Sequence, residues 1–236
     1  MSSWTVKVRR ALEVSLVEKV PRDHLQPDSE FRRRRIVVAV VLIAGATLLG
    51  ISLSVRPGDN AFYPLTFGVA LIWTIGGFLS GPLHLGYLPF RGTLRRPVVT
   101  GLALGLVAGG IFLIGALIVR EIPPLKDFVQ SLLDHAKYGS LPIIAAVTFV
   151  NGVAEEIFFR GGLFAAIGRE HPVLISTIIY ALATVATLNL MLVFSAVTLG
   201  FVLALQRRAS GGILAPIMTH VTWSAMMLFL LPPLFT

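Results

Sequence analysis

The chain has 236 residues, of which 55% are hydrophobic and only 14% charged, and its mean hydropathy of +0.82 excludes an ordinary soluble globular domain. There is no cysteine, so a disulfide framework, a zinc ribbon and a thiol nucleophile are all excluded. The formal net charge of +8 fits loops that face anionic lipid rather than nucleic acid, because no basic stretch is interleaved with stacking aromatics.

The first 35 residues are polar, and no cleavable signal peptide is expected before the first apolar run. Within them Trp4, Val8, Ala11, Leu12 and Leu16 recur at spacings of three and four beside Lys7, Arg9, Arg10 and Glu13. That pattern predicts an amphipathic helix on the cytoplasmic surface or against a partner. Runs of about 20 apolar residues, the length a helix needs to cross the hydrocarbon core, follow at 36–55, 64–83 and 98–119. In the third, Gly101, Gly105 and Gly109 clear a stripe for close approach of another helix, expected to serve packing within the chain rather than dimerisation. After Pro123 and Pro124, the residues Ile122, Leu125, Phe128, Val129, Leu132 and Leu133 predict a helix lying flat on the outer face. Residues 141–167 form a long fourth span, 172–187 and 189–206 two short ones, and 212–235 the last.

The fold class is therefore all-α, a polytopic transmembrane helical bundle of about seven spans with its N-terminus cytoplasmic. Charge supports that count. Sixteen of the twenty basic residues, Arg22, Arg91, Arg95, Arg96, Arg207 and Arg208 among them, fall on the inner side. Only Arg56, Arg120, Lys126 and Lys137 fall outside. The chain divides into a basic N-terminal segment (1–35), three spans with the outer amphipathic segment (36–140), and a membrane core (141–236). Arginine greatly outnumbers lysine, as GC-rich coding produces, and the expected location is a bacterial inner membrane.

Residues 149–164 read FVNGVAEEIFFRGGLF. Glu155 and Glu156 are the only carboxylates inside an apolar span, and His220 is the only histidine well inside one. A charge at membrane depth is costly and calls for named partners. Counted from the inner end of the fourth span, the two glutamates lie about 17–18 Å along the helix, and His220 lies about 12 Å along the last span. Glu156 and Arg160 are an i, i+4 pair with the acid N-terminal, the better orientation for a salt bridge. Glu155 points about 100° away, towards a cavity that His220 can share. Two readings stay open: a general base beside an imidazole, or a buried polar clasp with His220 as a satisfied core histidine.

These residues resemble a known family. Glu155-Glu156-x-x-x-Arg160, a short following span and the final stretch GGILAPIMTHVTWS are similar to the CPBP family of intramembrane proteases, which includes the CAAX prenyl endopeptidases; the likeness runs from Leu141 to about Leu230. The resemblance implies a helical bundle and glutamate-based endoproteolysis. Carried over, Glu155 would be the base, Glu156 and Arg160 its orienting pair, and His220 part of the oxyanion site. Two motifs depart: the histidine of an FxxxH motif is replaced by Thr184 in Tyr180-Ala181-Leu182-Ala183-Thr184, and Ser224 stands where asparagine is usual after His220. Threonine cannot act as a base near neutral pH. The resemblance with its losses implies a non-catalytic accessory or scaffold subunit bound to other membrane proteins and to anionic lipid at the cytoplasmic face. An active endopeptidase cutting near that face is the alternative, and a lipid-handling or transport role is a third. No cofactor, metal or nucleic acid is implied.

Overall fold

The computed structural model describes residues 3–20, 26–90, 92–138 and 140–235. Arg22 and Arg91, counted above among the inner basic residues, lie outside the described residues. Helix α1 (Ser3–Leu12) runs into one π-helical turn (Glu13–Val17), and is followed by α2 (Asp28–Ser54) and α3 (Phe62–Ser80). Strands β1 (Leu88–Phe90) and β2 (Thr93–Arg95) precede α4 (Val98–Val119) and α5 (Pro123–Lys137). The fourth apolar run is composite: α6 (Leu141–Glu155), a π-helical segment (Glu156–Leu163) and α7 (Phe164–Ile167). α8 (Pro172–Val185), α9 (Leu190–Ser210) and α10 (Leu214–Leu230) complete the bundle.

Local chemistry sets the helix starts. α2 opens after Pro27 with Asp28 and Glu30 in its first turn, where negative charge meets the positive end of the helix dipole. α5, α6 and α8 carry proline at their first positions, where a missing N–H costs nothing. Asn189 caps α9, its Oδ1 accepting from the backbone N–H groups of Met191 and Leu192 at 3.0 and 3.1 Å. Helices α2, α3, α4, the composite helix and α9 are long and apolar enough to cross a membrane, while α8 and α10 are apolar but shorter. An all-α polytopic bundle is thus what the chain folds into.

Two features differ from the sequence reading. The loop after α3 contains an antiparallel hairpin in which Leu88 faces Arg95 and Phe90 faces Thr93; three-residue strands are too short for a period-two pattern to register. The composite helix also leaves α geometry at Glu156, the second of the paired glutamates. Such π segments inside α-helices are rare and concentrate at functional sites.

Packing places the site in the middle of the bundle. Trp73 of α3, fully buried, stacks on Phe158 at 4.6 Å and leans on Phe159 at 5.0 Å, forming a core with Val38, Val69 and Ala154. α4 lies along α10 as the glycine stripe anticipated. A Cβ at Gly105 would come within 2.6 Å of Thr222 Cβ and 2.8 Å of the Thr219 carbonyl, so only glycine permits that approach. At the arginine-rich end, residues 84–87 pair with the α9–α10 turn: Tyr87 N–H donates to the Ser210 carbonyl, and Ile213 N–H to that of His84, both at 2.9 Å. The π turn after α1 rests on α9, and Val20 N–H donates to the Ala209 carbonyl at 3.1 Å. α1 itself is exposed along its length, with Trp4 72% accessible.

Candidate functional site

The π segment carries its charges into the interior. Glu156 is fully buried, and Arg160 is 1% exposed. Arg160 Nη1 donates to Glu156 Oε1 at 2.9 Å, the pair expected from the i, i+4 spacing. The other guanidinium nitrogen, Nη2, donates to the Gly200 carbonyl on α9 at 3.1 Å. Gly200 has to be glycine for this: a Cβ there would lie 2.9 Å from the Tyr180 ring and 3.1 Å from Arg160 Nη2. The guanidinium also sits 4.6 Å over the ring of Tyr180 on α8, a cation–π contact.

His220 of α10 completes this cluster rather than joining Glu155 directly. Its Nδ1 lies 2.8 Å from Glu156 Oε1. An ionised carboxylate can only accept, so Nδ1 carries the proton and donates; in the neutral imidazole Nε2 is then the acceptor nitrogen. Glu156 Oε1 therefore receives two donors, while its Oε2, also buried, has no hydrogen-bond partner. The clasp ties the π segment to α9 and α10, and through the ring contact to α8. A second polar chain braces it: Gln206 Nε2 donates to Thr219 Oγ1 at 2.8 Å, and that hydroxyl donates to the Gly101 carbonyl at 2.9 Å. Arg207 Nε donates to the carbonyl of Arg160 at 2.6 Å, meeting backbone that the π geometry reorients.

Glu155 takes a different direction. It lines a cavity of about 120 Å³ together with Tyr180, Thr184, Ser195, His220 and Trp223. Tyr180 Oη donates to Glu155 Oε2 at 2.5 Å. Tyr180 occupies the aromatic position of the FxxxH-like stretch, and its hydroxyl is a partner of Glu155 to which the sequence reading gave no role. Thr184, at the histidine position, faces the same cavity, but its hydroxyl donates to the Tyr180 carbonyl one turn back at 2.8 Å. The structure thus brings Glu155, Thr184 and His220 together around one space, and Glu156, Arg160 and His220 around one carboxylate.

Ser224 does not join them. It is buried, but it lines a separate chamber on the other side of Trp223. Asn151 and Asn189 are structural: Asn151 Nδ2 donates to the Thr66 and Val147 carbonyls, and Asn189 Nδ2 to that of Phe128. Among the described residues, no group of three or more His, Cys, Asp or Glu side chains converges to hold a metal ion.

A polytopic helical membrane protein with a buried Glu-Glu-x-x-x-Arg segment bonded to a histidine on its last helix is the class this geometry defines. Residues 137–226 match the family model described as type II CAAX prenyl endopeptidase Rce1-like. That segment, which contains Glu155, Glu156, Arg160, Thr184, His220 and Ser224, is what the chain shares with the family. Weaker likenesses join it to two transporters. It is 26% identical over 109 residues to high-affinity choline transporter 1 of Torpedo marmorata, covering 46% of this chain and 18% of the transporter. It is 27% identical over 129 residues to the Homo sapiens high affinity choline transporter 1, covering 52% of this chain and 21% of the transporter. The matches span only about a fifth of those transporters. No solved structure matches the chain.

Proposed function

We propose that this chain is a non-catalytic member of the CAAX endopeptidase-like family, a scaffold or accessory subunit that holds other membrane proteins in a bacterial inner membrane. The observation that carries this reading is how the polar groups are used. Glu156, Arg160 and His220 are bonded to one another and to the Gly200 carbonyl, so they support the bundle without any reaction. The Thr184 hydroxyl is occupied by its own helix and offers no base to a water beside Glu155. α1 supplies a surface for the assembly: its exposed Trp4, Val8 and Leu12 and its Lys7 suit an anionic lipid surface bordering a partner, while Arg9 and Arg10 pair with Glu13 and Glu18.

A second reading, an active intramembrane endopeptidase, has one observation in its favour. The cavity of about 120 Å³ beside Glu155 has room for about four waters at ~30 Å³ each, and His220 lines it. The two readings separate on Glu155→Gln, which is nearly isosteric and retains an acceptor for Tyr180 Oη. With the native chain and the variant purified in mild detergent from cells at equal membrane levels, the same co-purifying proteins in the same ratios are expected. A membrane protein that accumulates, uncut, only with Glu155→Gln would instead identify a substrate and overturn the scaffold reading.

A further inference from the structure

The chamber beyond Trp223 is the largest unexplained feature of the bundle. It measures about 530 Å³ and is walled by α4, α5, α9 and α10, reaching α6. Phe112, Ala116, Val129, Leu133, Met191 and Met227 give it an apolar lining. Three of the polar groups on its wall are turned to backbone, while the hydroxyls of Thr148 and Ser224 also line it. Ser195 Oγ donates to the Met191 carbonyl at 2.9 Å, Thr198 Oγ1 to that of Phe194 at 2.8 Å, and the His135 ring nitrogens each lie 3.0 Å from a carbonyl, of Ser131 and of Val55. A buried water requires two to four polar partners, and hydroxyls bonded in this way offer few. An apolar space of this size without partner atoms forfeits the packing contacts of its lining.

The mouth of the chamber opens between apolar helices. Ile111 and Phe194 stand on its rim, 63% and 50% exposed, on two helices long and apolar enough to cross a bilayer. α4 and α9 flank α10 there, and the chamber lies towards α5, at the end of the bundle opposite the β hairpin and Arg207. We propose that this chamber is a lipid site that takes one acyl chain from the leaflet opposite the arginine-rich end. With roughly the ~30 Å³ share of a liquid water allotted to each methylene, the space of about 530 Å³ suits a chain of roughly 16–18 carbons. The site is separate from the carboxylate cavity. Leu192, Ser195 and Trp223 line both and form the partition, with the edge of Trp223 set 5.2 Å from Phe112 on the lipid side.

Two glycines of α4 provide the test. A Cβ at Gly115 or at Gly110 meets nothing within 4 Å, but only Gly115 lines the chamber. The native chain, Gly115→Leu and Gly110→Leu, each also carrying Trp4→Phe, are reconstituted into phosphatidylcholine vesicles whose acyl chains are brominated. Trp73 is fully buried in the core, so bromine quenching reports on Trp223. Quenching is expected in the native chain and in Gly110→Leu, reduced at least twofold in Gly115→Leu, and relieved by an unlabelled 18-carbon fatty acid but not by a 10-carbon one. Equal quenching in all three proteins, no quenching in the native chain, or relief by a prenyl alcohol alone would overturn the proposal. Should Gly115→Leu not fold, native mass spectrometry of the unaltered chain after detergent washing decides: a single retained phospholipid is expected, and its absence overturns the assignment.

Discussion

Replacing Arg160 with methionine is expected to lower the stability of the folded chain by about 3–5 kcal/mol, because it leaves the Glu156 carboxylate charged and buried without its cation. Both members of the pair are essentially inaccessible to solvent, so water cannot substitute. The guanidinium also bonds Gly200 and covers Tyr180, and these ties between helices are lost with it. The double change Glu156→Leu with Arg160→Met removes both charges and should recover most of the loss, since an apolar replacement of a buried ion pair is often neutral or better. What remains is the orphaned Nδ1–H of His220, at about 1–3 kcal/mol. Thermal unfolding in a fixed detergent gives the comparison. An Arg160→Met protein within ~0.5 kcal/mol of the native chain, in the range of ordinary surface substitutions, would show that the clasp does not hold the bundle.

Thr184→His is the substitution with the largest expected effect on chemistry. It returns an imidazole to the wall of the cavity that Glu155 lines. The native chain is expected to give no cleavage of a membrane-anchored CAAX-type reporter above background, and Thr184→His, which restores a group of the kind that contributes about 10²–10⁴ in rate, should make cleavage detectable. The oxyanion side would still lack a donor from Ser224, which lines the other chamber. Equal cleavage by the native chain and by Thr184→His would mean that position 184 is not the missing part.

Much of this was legible in the sequence for simple geometric reasons. The Glu156–Arg160 pair follows from i, i+4 spacing, and the burial of Gly101, Gly105 and Gly109 against α10 follows from a four-residue stripe of missing side chains. α5 appeared where its apolar periodicity and two prolines predicted it. Other features depend on tertiary contact. The π segment was invisible because a helical wheel assumes 100° per residue throughout, and nothing in EIFFRGGL announces the extra residue per turn. His220 was expected to share a cavity with Glu155, and it does; its hydrogen bond goes to Glu156, a choice between two adjacent carboxylates that sequence spacing does not make. Ser224 lies four residues beyond His220 on the same helix, yet the ring of Trp223 separates the spaces the two residues face. The bond from the Tyr180 hydroxyl to Glu155 joins residues 25 apart on two helices, and no sequence spacing marks it.

The central claim is that the retained Glu-Glu-x-x-x-Arg segment holds a bundle together and cuts nothing. Sequencing of protein N-termini from membranes of cells with the native chain, with Glu155→Gln and with the chain deleted tests it most directly. The account predicts the same set of termini in all three. A new terminus beside a transmembrane segment, present with the native chain and absent from the other two, would contradict it.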